Sequence, residues 1–157
     1  MRYLNSIYDL LFEAVESYQW EFIEDTDKRI RYSFIDMNDN KYLVEFKNIP
    51  SGRKRDLGTQ YELCYYVYDE DKQDYNVSKV VNVNPYRTLQ TVFGNILNDF
   101  IERKSWVKKI SLQGLSKDQE GHYISQRTRM YARYLERNPV TGYKMVTYNN
   151  TINLIKI

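Results

Sequence analysis

The chain has 157 residues, 42% of them apolar and 28% charged, a balance that suits one soluble globular domain and excludes a disordered tail. Six glycines and three prolines exclude collagen-like and linker architectures, while one cysteine (Cys64) and one histidine (His122) exclude an internal disulfide framework and leave too few ligands for a zinc site. Charge is divided along the chain: residues 1–83 hold 11 basic against 16 acidic side chains and residues 84–157 hold 12 against 5, an asymmetry that favours an acidic partner at one end or head-to-tail association.

The opening segment repeats apolar residues at Leu4, Ile7, Tyr8, Leu11, Ala14 and Val15, the spacing of one helical face, and predicts a helix over 1–17. Its acids and its lack of a small-residue cleavage site argue against a secretory signal, and no run anywhere in the sequence has the roughly 20 apolar residues of a membrane span. From Tyr18 the period becomes two. Tyr18, Trp20 and Phe22, then Ile30, Tyr32 and Phe34, then Tyr42, Val44 and Phe46 alternate with polar neighbours, separated by Asp25-Thr26-Asp27 and Asn38-Asp39-Asn40. This is the pattern of an antiparallel meander with one buried face. A Pro/Gly/basic loop over 48–59 follows, and then a long hairpin with arms 61–68 and 75–83.

Asn84 and Pro85 read as the N-cap and first position of a helix over 85–103, with Leu89, Val92, Phe93, Ile96, Leu97, Phe100 and Ile101 at three-and-four spacing. Gly94, inside that helix, suggests close packing on a sheet. A strand over 106–112 and a polar loop lead to a last helix, about 123–137, that Asn138-Pro139 stops. On it Ile124, Thr128, Tyr131 and Leu135 share one face, and Arg129, Arg133 and Arg137 line another. A hairpin over 143–157, turning at Asn149-Asn150, closes the chain. The whole reads as a single α/β (α+β) domain over 1–157, with a meander over 18–83 and helix–strand–helix over 84–137. Its sheet is mixed and largely antiparallel, with helices on its faces, and strand 75–83 is expected to run parallel to strand 106–112 through the intervening helix.

From Tyr18 onward this order of elements resembles the GCN5-related N-acetyltransferase fold: meander, helix, strand, helix, and a terminal strand pair. The stretch TRMYARYLERN looks like that family's late helix. LQTVFGNILNDFI, a short strand and then SQRTRMYARYLER are similar to a group of tailed-bacteriophage proteins with a Tyr-rich β half. The resemblance implies a phage protein, in the host cytoplasm or the virion, and it implies a place for acetyl-CoA at the start of the crossover helix. Glycines are required there because backbone amides must approach a pyrophosphate with no Cβ in the way. In this sequence the corresponding residues are Asn84-Pro85-Tyr86-Arg87-Thr88-Leu89-Gln90-Thr91-Val92, without a glycine.

The expectation is therefore a non-catalytic scaffold with no cofactor and no metal, acting through a protein partner or self-association rather than a membrane. Its contact residues would be Arg53, Lys54 and Arg55 in the basic loop, Tyr65, Tyr66 and Tyr68 on the hairpin, and Arg129, Arg133 and Arg137 on the last helix. The first alternative is an acyl-CoA-dependent N-acetyltransferase with a degenerate cofactor loop at Arg87, Thr88, Gln90 and Thr91. The resemblance would then make Tyr131 the acid that protonates the departing thiolate. The second is a nucleic-acid-binding accessory factor using the same arginines and the tyrosine faces. His122 has no relay partner in sequence for nucleophilic catalysis, and Cys64 reads as a small hydrophobe in a strand.

Overall fold

A computed structural model describes residues 16–50, 58–76, 84–113, 126–148 and 151–157. Most of the expected helix 1–17, the basic loop, residues 77–83, His122 and the Asn149-Asn150 turn lie outside the described residues. The strands are β1 (Trp20–Asp25), β2 (Arg29–Ile35), β3 (Lys41–Asn48), β4 (Gln60–Asp69), β5 (Asp74–Asn76), β6 (Lys109–Gln113), β7 (Tyr143–Tyr148) and β8 (Thr151–Lys156). They form one sheet in the order β1-β2-β3-β4-β6-β8-β7, with β5 paired to β4. Every pairing is antiparallel except β4 with β6. One helical rod precedes β6, made of α1 (Pro85–Leu89), a π-helical segment (Gln90–Ile96) and α2 (Leu97–Arg103); α3 (Gln126–Arg137) follows β6. The architecture is an α+β fold built on a mixed, mostly antiparallel sheet.

Period-two alternation sorts the meander as its side chains dictate. Ile30, Tyr32 and Phe34 of β2, Tyr42, Val44 and Phe46 of β3, and Tyr61, Leu63 and Val67 of β4 are all buried on the same face. Two short turns fix the register. Between β1 and β2, Thr26 donates its amide and hydroxyl to the Arg29 carbonyl. Between β2 and β3, the Asp36 carboxylate accepts from the amides of Asn38 (2.8 Å) and Asn40 (3.0 Å), from the Asn40 side chain and from the Tyr42 hydroxyl. Asp39 there takes φ 62°, a conformation that Asp tolerates better than most residues.

The rod and α3 lie on the same side of the sheet. Phe100 stacks on Phe46 with centroids 4.0 Å apart and meets Tyr61 edge-on. Tyr131 of α3 meets both Tyr65 of β4 and Phe93 of the rod. The expectation of helices on both faces is thus corrected for the described helices: both apolar stripes need the one aromatic sheet face, because the other alternates with charges. The expected parallel partner of β6 is corrected as well. The acidic turn after Asp69 folds β5 straight back on the far end of β4 (Val67–Asp69), whereas β6 returns to its near end, Gln60–Leu63. Gly94 packs against α3 rather than the sheet, since a Cβ there would stand 3.0 Å from the Tyr134 hydroxyl and 2.8 Å from Gln90 Nε2.

Two outcomes follow from this core. Phe100→Ala removes a fully buried ring from its stack on Phe46 and is expected to lower unfolding free energy by about 3–5 kcal/mol in denaturant titration. Burial, reinforced by neighbouring Asp99 and Asp36, raises the phenols of Tyr32 and Tyr42 well above the ordinary tyrosine value, and burial pushes Tyr134 up to about 12. The folded state therefore favours the neutral phenols. Their contribution is complete below about pH 10, where unfolded tyrosine titrates, and is lost progressively as pH rises towards 12 and beyond. Urea midpoints at pH 8 and pH 11 check this: the midpoint should fall, with tyrosinate absorbance appearing together with unfolding.

Candidate functional site

Two regions hold the residues singled out from the sequence: the start of the helical rod, and the sheet face that α3 and the rod leave open. At the first, Asn84 caps α1 with φ 36°, and its side chain accepts from the Arg87 amide at 3.2 Å. The Asn84 carbonyl also accepts from the amides of Arg87 and Thr88. Pro85 has no N–H to offer. Two amides of this first turn, those of Arg87 and Thr88, are thus already paired within the chain, and Pro85 offers none.

The side chains that follow are paired as well. Thr91 is fully buried, accepts the Tyr18 amide at 2.9 Å and donates to the Arg87 carbonyl at 2.8 Å. Thr88 is buried beside the Tyr42 hydroxyl. Gln90 accepts the Tyr134 hydroxyl. Arg87 lies over the Tyr18 ring, its guanidinium carbon 4.2 Å from the centroid, while its Nε is buried with no hydrogen-bond partner among the described residues. Tyr131 is buried and donates to the Tyr65 hydroxyl at 2.8 Å. The structure brings Tyr131 and Tyr65 together.

The second region is laid out by alternation. Arg29 and Arg31 of β2, Leu43, Glu45 and Lys47 of β3, and Glu62, Cys64, Tyr66 and Tyr68 of β4 share the face opposite the helices. Tyr66 and Tyr68 therefore sit on a different face from Tyr65. Glu45 is almost fully buried at the centre of this face, with Arg31 Nε at 2.7 Å, Lys47 Nζ at 3.5 Å and Arg29 at 3.9 Å. One buried carboxylate thus gathers three cations, the first in a short charge-assisted bond. Lys47 lies over the Tyr66 ring at 5.7 Å, and its hydrogen bond to Tyr66 raises its pKa. Lys41 lies over Tyr68 at 5.9 Å, and Tyr75 of β5 meets Tyr68 edge-on. Ile23, Leu43, Tyr66 and Tyr75, with Arg31, Glu45 and Asp74, line an open groove of about 550 Å³.

Sequence reasoning missed Ile23, Leu43, Glu45 and Tyr75 in this surface. The period-two pattern assigns Leu43 and Glu45 to the face opposite Tyr42, but only tertiary packing decides which face the helices cover. Ile23 reaches the open face at a bulge, where the β1–β2 register shifts between Phe22 and Glu24. On α3, Arg129, Arg133 and Arg137 are exposed, as their spacing predicts. Arg53, Lys54, Arg55 and His122 lie outside the described residues. Among the described residues no cluster of three or more His, Cys, Asp or Glu could hold a metal ion, and no helix is long and apolar enough to cross a membrane. Comparison with family models, with curated proteins and with solved structures finds no match to this chain.

Cys64 is half-buried on the open face, and burial, aided by the charge of Glu62, pushes its thiol up to about 11. Because the thiolate is the reacting species, alkylation by iodoacetamide at pH 8 should run on the order of a hundredfold slower in the folded protein than in urea. Mass spectrometry of the quenched time course reads this directly.

Proposed function

We propose that this protein is a non-catalytic interaction module on a scaffold resembling the GCN5-related acetyltransferase fold, and that a protein partner docks on the open face of its sheet. The order of meander, crossover helix, parallel strand, second helix and closing antiparallel pair supports the scaffold. The observation that carries the reading is the state of the helix start. Pro85 lacks an amide proton, Asn84 takes the amides of Arg87 and Thr88, and Thr91 and Gln90 are held by Tyr18 and Tyr134. A pyrophosphate needs those amides free and closely approachable.

The open face has the chemistry of a contact surface. Tyrosines pinned by lysines present rigid rings with polar tips, beside the exposed Ile23 and Tyr75. A bacteriophage accessory or virion-associated role is the setting that the resemblance suggests. The unpaired Arg87 Nε is the observation that favours the alternative, an acyl-CoA transferase with a degenerate cradle.

Calorimetric titration with acetyl-CoA separates the two. The module gives no saturable heat, whereas micromolar affinity weakened by Arg87→Ala would establish the transferase reading instead. For the surface itself, Tyr66→Ala and Tyr68→Ala should each weaken a co-purifying protein complex by about 30-fold, the effect of an interface hot spot, with the thermal midpoint little changed. Retention of that complex by both variants would remove the open face from the proposal. Salt-sensitive binding of single-stranded DNA, lost in Arg129→Ala and Arg133→Ala, would point to the nucleic-acid reading.

A further inference from the structure

The two outer strands of the sheet are built differently. β1 carries the usual protections of an edge, a register shift between Phe22 and Glu24 and the acids Glu21, Glu24 and Asp25. Such features keep a row of unpaired backbone groups from templating another chain. β7, at the other end, has none of them. Its sequence YKMVTY has one charge and no proline, and it pairs with β8 without a register shift over all six residues. Among the described residues it ends the sheet.

The antiparallel ladder decides which of its backbone groups point outward. The Ile157 amide donates to the Gly142 carbonyl at 2.9 Å, so in the β7–β8 pairing the even-numbered residues, Gly142, Lys144, Val146 and Tyr148, exchange hydrogen bonds with the last strand. Met145 and Thr147 therefore direct both N–H and C=O away from β8. Tyr143 offers only its carbonyl, because its amide is held by Val140. Val146 and Tyr148, 41% and 73% exposed, project from the open face beside this edge.

We propose that β7 is a self-association edge, pairing antiparallel with β7 of a second copy of this chain about a twofold axis normal to the sheet. Such an axis keeps both helix layers on the same side, so opposed residues must come from the same face of each sheet. Centring the register on Val146 meets that condition. Met145 of each copy then exchanges two hydrogen bonds with the partner's Thr147, which pairs every outward group on these two residues. On the open face Lys144 lies across from the partner's Tyr148, an amphipathic stem against a ring, and Val146 meets the partner's Val146 in a close non-hydrogen-bonded pair. No like charges are opposed. The edge is complementary to itself, which is why a second copy is its occupant. The inference uses a different surface from the open-face reading and stands without it.

Sedimentation velocity tests it. The wild-type chain should sediment at twice its 19.0 kDa mass. Thr147→Pro deletes an outward amide without touching the β7–β8 ladder, and Val146→Lys sets like charges on the axis at an exposed position; both should be monomeric with an unchanged circular dichroism spectrum. Should Thr147→Pro unfold, Val146→Lys still decides. In a Cys64→Ala background, oxidised Val146→Cys should cross-link to a dimer, since a facing pair there has Cβ atoms about 4.5–5.5 Å apart, and Lys144→Cys should not. A wild-type monomer into the hundred-micromolar range overturns the proposal, as does a dimer that survives in Val146→Lys.

Discussion

Five tyrosines among the described residues are buried with a partner for the hydroxyl, whereas the buried Tyr18 hydroxyl has none there, and those five bonds hold much of this fold in place. Tyr32 donates to Asp99 at 2.8 Å, Tyr42 to Asp36 at 3.0 Å, Tyr131 to Tyr65 at 2.8 Å, Tyr134 to Gln90 and Tyr143 to the Val107 carbonyl. Three of these bonds join separate elements of the core: β2 to α2, α3 to β4, and α3 to the π-helical segment. A sheet of aliphatic residues would allow a helix to slide over it. Directional bonds between phenols and their acceptors set the position of the rod and of α3 as well as their burial. Asp99 illustrates the economy of the arrangement, since it also pairs with Arg103 at 2.6 Å and so joins the buried phenol to a surface ion pair.

The same bonding decides what the molecule can do chemically. A tyrosine or threonine whose hydroxyl proton bonds another part of the chain gives that proton to a ligand only by breaking the internal bond. Thr91 and Tyr131 both sit where an acyl-CoA reading of the sequence would use them, and both are satisfied from within the chain. The aromatic residues on the other face of the sheet are held differently. Lysines lie over the rings of Tyr66 and Tyr68, and the buried Glu45 anchors the surrounding cations. The tyrosines of one strand thus divide into a set packed under the helices and a set on the opposite face according to the parity of their position.

Much of the fold was legible in the sequence because its signals are local. Period two in residues 18–46, the Asn84-Pro85 cap and the stripe from Leu89 to Phe100 each depend on neighbours within a turn or a strand, and each element formed within a few residues of its expected place. The pairing of β6 with β4 was not legible. The chain between 75 and 83 looks like the last strand before the rod, and only the long-range placement of β6 between β4 and β8 excludes it as the parallel neighbour. The candidate site divides the same way. The missing glycines at 84–92 were visible as letters, but the internal partners of Thr91 and Gln90 depend on Tyr18 and Tyr134, 73 and 44 residues away in sequence. Which sheet face stays open is likewise a property of two distant helices.

The wide turn inside the rod has a consequence for what position 94 can hold. From Gln90 to Ile96 the ladder closes five residues back, as in the Leu97 amide bonded to the Val92 carbonyl, so each such loop contains one residue more than an ordinary helical turn. The Asn84 cap lies on one side of it and the Phe100 stack on the other. A side chain at 94 in place of glycine would press on the Gln90 side chain one turn back, and so on the residue that accepts the Tyr134 hydroxyl.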